Sequence, residues 1–394
     1  MFYFSPGLLG VVIDPIKIGY VQELFGTEPL SVPLANTTYE VMTLVLVFIL
    51  FGSIWFEIVY PVYENHLVQD TEKMTQAAGI ISILFFLYLL VISGDGLFAS
   101  DKARVMRILG SGYVLWSLSI ISLTLLAFAT RNWKWFFLGG CFLIFDLFLG
   151  FRLEFVLVTL AIFTAFAHSF GHQRLIKKWP LLSMLMTVVV LMVIYKEFLA
   201  GIKRYLWHMP YDYIASISFI KAIEHAEPFI IQATLNGVVS HKVHIGIYQY
   251  FLTIIQAIPF YGTISGQTIH QFNDSIQTFL FPGIDFGVAS NIWAEVYSAG
   301  GMMFLVLFMV GYVWALFIGG RWLQNKSLSV RIYGLMVFSY ISFYIHRNDI
   351  YTTLSYVKLV SFLFVALFVV SRALTFISRY RPKWLVYSHP FSPR

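Results

Sequence analysis

The sequence predicts an all-α, polytopic integral membrane protein with about nine (8–11) transmembrane helices and one large extracytoplasmic loop. Three observations carry this. Of 394 residues, 59% are hydrophobic and only 12% are charged, where a soluble domain has about 25% charged. Mean hydropathy is +0.77. The apolar residues gather into repeated runs near the ~20 needed to cross a bilayer. Such a chain cannot solvate a globular surface of its size. A soluble enzyme, a disordered chain, a disulfide scaffold and a nucleic-acid binder are excluded. The one cysteine, Cys141, lies inside an apolar run and has no intrachain partner.

Each element follows in order. Residues 1–40 read as an interfacial or re-entrant segment, or as a poor first span, because Asp14, Pro15 and Lys17 interrupt any apolar core that a signal sequence needs. The first bundle, 41–199, holds spans at 41–62, 77–98, 113–129, 134–150, 153–170 and 181–199. The run from Phe136 to Phe170 is too long for one helix. It breaks at Gly150-Phe151-Arg152-Leu153-Glu154, which reads as a hairpin. The loop, 200–299, begins with a mixed stretch containing Lys203, Arg204 and Trp207. Residues 244–262 are apolar with a period near 3.6, the pattern of a membrane-surface helix. A turn-rich stretch follows, from Phe281-Pro282-Gly283 to Gly287. The second bundle, 300–371, holds spans at 300–320, 332–350 and 353–371, and a basic tail closes the chain at 372–394.

Basic residues set the orientation. The segments 63–76, 130–135, 171–180, 321–331 and 372–394 together hold 14 of the 26 Lys and Arg. The 100-residue loop holds only Lys203, Arg204, Lys221 and Lys242. The positive-inside rule places the C-terminus in the cytoplasm and the large loop outside. One short outer loop, 99–112, runs against this with Lys102, Arg104 and Arg107. No internal repeat is evident, and no matched pair of broken spans, the pointer to many transporters.

Charges in or near spans are functional candidates. Asp146, Arg152 and Glu154 cluster at the hairpin. His346, Arg347 and Asp349 cluster at the end of the 332–350 span, with Lys358 beyond, and Glu295 stands just before the 300–320 span. All fall on the outer side. Arg152 and Arg347 read either as interface anchors, since arginine snorkels, or as a pair suited to a lipid-linked phosphate or diphosphate. The guanidinium is a planar fork of donors that stays charged when partly buried. Asp349, Glu295 or a histidine would then take a proton from an attacking hydroxyl, although Asp349 also reads as a simple partner of Arg347. Aromatic residues such as Tyr297 and Trp207 suit sugar faces or ordinary interface belts. His241 and His244 lack a third metal ligand at a suitable spacing, and no P-loop or Gly-x-Ser-x-Gly motif occurs.

Four features resemble the bacterial oligosaccharide repeat-unit polymerases, the Wzy-type O-antigen polymerase family. These are Phe4-Ser5-Pro6 with Thr37-Thr38-Tyr39, the Leu149-Gly150-Phe151-Arg152 turn, the run Phe286-Gly287-Val288-Ala289-Ser290-Asn291 with Glu295-Val296-Tyr297-Ser298-Ala299-Gly300-Gly301, and Arg347-Asn348-Asp349. Asn348 stands where the family has Gly, and Phe151 where a small residue is common. The resemblance covers the layout of most of the chain and about 25 residues by motif.

The resemblance implies a multi-pass glycosyltransferase of the bacterial inner membrane. It would polymerise undecaprenyl-diphosphate-linked oligosaccharide at the periplasmic face, with no metal, nucleotide sugar or other cofactor. Arg152 and Arg347 would bind the diphosphates of donor and acceptor. Asp349 or Glu295 would be the base or would hold an arginine. Glu154, His346, Tyr297, Lys203, Arg204 and Trp207 would contact substrate. Membrane lipid, a chain-length regulator and a flippase are the expected partners, and nucleic acid is not. An O-antigen ligase-like transferase shares this layout and donor. A lipid-linked sugar transporter or flippase would instead need charges through mid-membrane.

Overall fold

The computed structural model describes residues 34–59, 72–94, 102–170, 227–266, 271–281, 290–325 and 327–379, together with Phe4, Gly7, Ser183 and Thr187. The described residues form helices and turns, with no strand among them. Twelve α-helices follow in order. They are α1 (Asn36–Val59), α2 (Glu72–Ser93), α3 (Lys102–Ala129), α4 (Trp133–Leu149), α5 (Leu153–Phe170), α6 (Glu227–Ser240), α7 (Ile247–Gln256), α8 (Tyr261–Ser265), α9 (Phe272–Leu280), α10 (Ile292–Leu323), α11 (Leu328–Phe343) and α12 (Ile350–Arg379). A 3-10 turn, Tyr344–His346, follows α11.

Six stretches of the described residues are long and apolar enough to cross a membrane: Asn36–Phe56, Glu72–Ser93, Gly112–Ala129, Ile292–Leu323, Leu328–His346 and Ile350–Ser378. They account for the expected spans near 41–62, 77–98, 113–129, 300–320, 332–350 and 353–371. The expected spans at 134–150 and 153–170 are the helices α4 and α5. At 17 residues, α4 is about 25 Å long, short of a hydrocarbon core of about 30 Å. Apart from Ser183 and Thr187, the expected span at 181–199 lies outside the described residues, as do residues 1–3, 5–6 and 8–33 and the tail beyond Arg379.

The chain divides into two compact units. One comprises residues 1–65, 159–325 and 334–358, and the other comprises 66–158, 326–333 and 359–394. In the first, the core is built from Met42 and Val45 of α1, Leu235 and Val238 of α6, Tyr250 of α7, Ile276 of α9, and Trp293, Leu305 and Met309 of α10. α1 and α10 run side by side in the same direction, with Gly52 against Val313 and Gly320 against Phe56. The buried Asn236 of α6 fixes the start of α1. Its Oδ1 accepts the Ala35 N–H at 3.1 Å and the Thr38 hydroxyl at 2.9 Å, satisfying donors that a helix N-terminus leaves open. α10 breaks at Gly300 and Gly301, and the positive φ of Gly301, 66°, is one that glycine adopts without a Cβ clash.

In the second unit α2, α3 and α4 pack around Trp116, which is fully buried. Phe86 of α2 stacks on it at 5.6 Å, and Phe142 and Phe145 of α4 meet its edges. α3 kinks at Gly110. It then buries Ser117, Ser119, Ser122 and Thr124, each hydroxyl donating to a carbonyl three or four residues back. Such back-bonding lets polar side chains sit inside a lipid-exposed bundle.

Candidate functional site

The site is built from the N-terminus of α10 upward. Asn291 is its N-cap. The side-chain Oδ1 accepts from Trp293 N at 2.9 Å and Ala294 N at 3.4 Å, and Nδ2 donates to the Ile231 carbonyl of α6 at 3.1 Å. Asparagine is among the best N-caps, and here it also locks α10 to α6. Two residues on, Trp293 donates from Nε1 to Nδ1 of His346 at 2.8 Å. An imidazole that accepts at Nδ1 is not the doubly protonated cation. Phe4, Trp293 and Tyr312 surround the ring of His346. This histidine is thus a structural hinge between α10 and the turn after α11.

Two residues past Trp293, Glu295 is fully buried. Its Oε2 accepts the Ile350 N–H at 2.8 Å, and its Oε1 has no hydrogen-bond partner among the described residues. Asp349 is also buried. Its Oδ1 accepts the Thr352 N–H at 2.7 Å, while its carbonyl accepts from Thr353. Two carboxylates therefore cap the first turn of α12, one from α10 and one from the chain itself. The positive end of the helix dipole favours both, and their charges oppose each other. Burial pushes the Asp349 carboxyl above the ordinary aspartate range. The Thr352 N–H pulls it back, and the charge of Asp274 adds to the rise.

Arg347 and Asn348 occupy the turn between the 3-10 segment and α12. The Arg347 guanidinium lies 5.5 Å from the centre of the Tyr344 ring, a cation–π distance. Asn348 Nδ2 donates to the Tyr340 hydroxyl at 2.7 Å. Tyr340 stacks on Tyr344 at 5.6 Å and on Tyr356 at 3.7 Å. Asn348 therefore does what glycine at that position cannot, tying the turn to an aromatic stack. Tyr297 is half-buried and packs on the core.

The second unit holds its own acidic group. α4 ends with Gly150 in the left-handed conformation, φ 99°. Its N–H bonds Leu147 O at 2.8 Å, and Phe151 N bonds Asp146 O at 3.1 Å, the paired bonds of a Schellman cap. That cap turns the chain back and presents Arg152, half-buried, and Glu154, buried, at the start of α5. Asp146 is fully buried and accepts the Tyr113 hydroxyl at 2.7 Å. Glu154 also lies within electrostatic reach of that hydroxyl, and its Oε2 has no hydrogen-bond partner among the described residues. Phe151 packs its ring 4.2 Å from that of Tyr113, which is why a large side chain suits this position.

Of the sequence-derived candidates, the structure brings Glu295, His346, Arg347 and Asp349 to one place in the first unit, with Tyr297 on the same helix as Glu295. It brings Arg152 and Glu154 together in the second. Lys203, Arg204 and Trp207 lie outside the described residues, as do residues 282–289 of the Gly-containing run. Sequence reasoning missed Asn291, Trp293, Tyr340 and Tyr113. Asn291 alone carried a local signal, an N-cap residue ahead of a long apolar run. Among the described residues no group of three or more His, Cys, Asp or Glu side chains is placed to hold a metal ion.

No protein-family model matches the chain, and no curated protein and no solved structure matches it.

Proposed function

We propose that the chain polymerises undecaprenyl-diphosphate-linked oligosaccharide repeat units into O-antigen or a related surface polysaccharide, at the outer face of the bacterial inner membrane. One observation supports this most. Arg347 stands on a turn between two membrane-length helices, and buried Glu295 and Asp349 cap the helix that follows that turn. A permanent cation on a turn anchored by a capped helix, at the end of apolar helices, suits a lipid-linked diphosphate.

In this reading a hydroxyl oxygen of the acceptor sugar attacks the anomeric carbon of the donor glycan. The bond from that carbon to the diphosphate oxygen breaks, and undecaprenyl diphosphate leaves with the bonding electrons. Arg347 stabilises the charge that grows on the leaving group. The hydroxyl proton passes to Asp349. A carboxylate whose proton affinity burial has raised is a better base near neutral pH. Glu295, with Oε2 already on Ile350 N–H, is a positioning residue for the turn. The C-terminus is cytoplasmic and residues 200–299 are periplasmic.

Deletion of the gene in its host tests the reading. Surface glycan should collapse from a ladder to single units on their normal anchor. Complete loss of anchored glycan would indicate ligation instead. Accumulation of lipid-linked units on the cytoplasmic side would indicate transport.

A further inference from the structure

α7 is amphipathic the wrong way round for a water-facing helix. Beside the buried Tyr250 it buries Thr253 and Gln256, each 3% exposed, and it turns Ile247, Phe251, Ile255 and the 80%-exposed Tyr248 outward. The outward apolar surface continues through Ile258, Phe260 and Ile264 of α8, the last 83% exposed. At ten residues α7 is far too short to cross a bilayer.

Its height on the neighbouring helices is fixed by contacts. The strand of chain entering α7 donates from Ile245 N to Ser298 O of α10, and Tyr250 and Phe251 meet the Phe304 ring. At its far end Lys358 Nζ of α12 donates to the Ala257 carbonyl at 3.1 Å. Lys358 is eight residues into α12, and Gly300 is eight residues past the start of α10. Both are about 12 Å below the helix ends at 1.5 Å per residue. α7 therefore crosses α10 and α12 at one level.

Two further features bracket that level, the first within about one helical turn below it. No large hydrophobic residue is exposed on α10 before Met303 or on α12 before Phe362. From Met303 to Leu323, α10 measures about 30 Å, the thickness of a hydrocarbon core. α1 gives the second marker. Counting back along α1 and α10 from the Gly52–Val313 and Phe56–Gly320 contacts puts Asn36, the first residue of α1, level with residues 297–300, within a turn of the Gly300 break.

We propose that the Gly300 level is the outer boundary of the bilayer hydrocarbon, and that α7 and α8 lie in the outer-leaflet interface with their apolar face among lipid acyl chains. Glu295, Arg347 and Asp349 then stand about 10 Å outside the hydrocarbon, at the height of lipid phosphates. The occupant of the exposed face is lipid, because that face is continuous, through Phe251 and Phe304, with the bare surface of α10 that begins at Met303. This inference rests on the membrane reading of the helices and not on the transferase reading.

Spin labels placed singly at Tyr248, Ile258 and Ile264, in a Cys141→Ala background, test it in phosphatidylcholine–phosphatidylglycerol vesicles. His244 and Arg347 serve as positions above the boundary and Met303 as one below. Collision with dissolved oxygen should exceed collision with a water-soluble nickel chelate at Tyr248, Ile258, Ile264 and Met303. The order should reverse at His244 and Arg347. Depth at the α7–α8 labels should be about 5–10 Å. Nickel access exceeding oxygen access at Tyr248 and Ile258 would place α7 in water and overturn the proposal. Exclusion of both reagents there would mean that a second copy or another chain covers the face, which also overturns it. The three labels occupy exposed positions, where substitutions are usually tolerated, and each reports independently. None of these outcomes depends on glycan synthesis.

Discussion

Glu295 accepts the backbone N–H of Ile350 at 2.8 Å, so a side chain of α10 caps a helix that begins 55 residues later. The contact sets where Arg347 stands, because Asp349 and Ile350 are the anchor of its turn. Glu295→Gln keeps an acceptor for that N–H and relieves the repulsion with Asp349. Glu295→Ala leaves the N–H buried and unpaired, at a cost of about 1–3 kcal/mol. Thermal unfolding in detergent should separate the two variants, with Gln close to the parent protein and Ala clearly lower. Equal midpoints would remove the capping role.

The Trp293–His346 hydrogen bond makes a second, independent link between α10 and the turn. Trp293→Phe keeps the ring contacts with Phe308 and Tyr312 and deletes only the donor. It should cost about 1–3 kcal/mol, because His346 Nδ1 is then left without its partner. Combined with His346→Ala, the loss should be less than the sum, with a coupling of about 0.5–3 kcal/mol. Strict additivity would show that the bond contributes nothing to stability.

Asp349 gives the stability a pH signature. Burial raises its folded pKa above the ordinary aspartate value of about 3.9. The folded protein therefore holds this proton to higher pH than the unfolded chain does. The associated stability is fully present below the unfolded pKa and is lost as pH rises through the folded one. Unfolding midpoints measured upward from about pH 4 should fall more in the parent protein than in Asp349→Asn. Asparagine retains the cap on Thr352 but does not titrate. Parallel pH profiles would contradict the raised pKa.

Gly150 ends α4 at φ 99°, where a Cβ costs roughly 1–2 kcal/mol. Gly150→Ala should destabilise the protein by that amount and Gly150→Asn by less. Gly140→Ala serves as the comparison, because an added Cβ there meets nothing within 4 Å. It should be neutral or stabilising by up to about 1 kcal/mol. Equal effects at both glycines would contradict the Schellman cap.

What the sequence made legible follows the reach of each signal. Apolar runs located six membrane-length helices, since length and hydropathy are local properties. The Gly150 break and the charges at the ends of spans were also visible. The 300–320 span begins where α10 breaks, but the helix itself starts at Ile292, because Asn291 caps it there. The tie from Asn236 to Thr38 joins residues 198 positions apart, and no periodicity announces such a pair. Tyr113 and Asp146 are similar. Each looks like a lone polar residue in an apolar helix until the fold brings them together. Asn348 reads as one polar residue of a turn, and only the fold reveals its bond to the Tyr340 hydroxyl.

In the proposed reaction Arg347 serves glycan polymerisation. The most direct test is the size distribution of surface glycan in a host lacking the gene and complemented with the parent protein, Arg347→Lys or Arg347→Ala, each at matched membrane abundance. The parent protein should restore the ladder. Arg347→Lys should restore it only in part, because lysine cannot offer the two-pronged donor set. Arg347→Ala should leave single units. A full ladder with Arg347→Ala would rule out that role for Arg347.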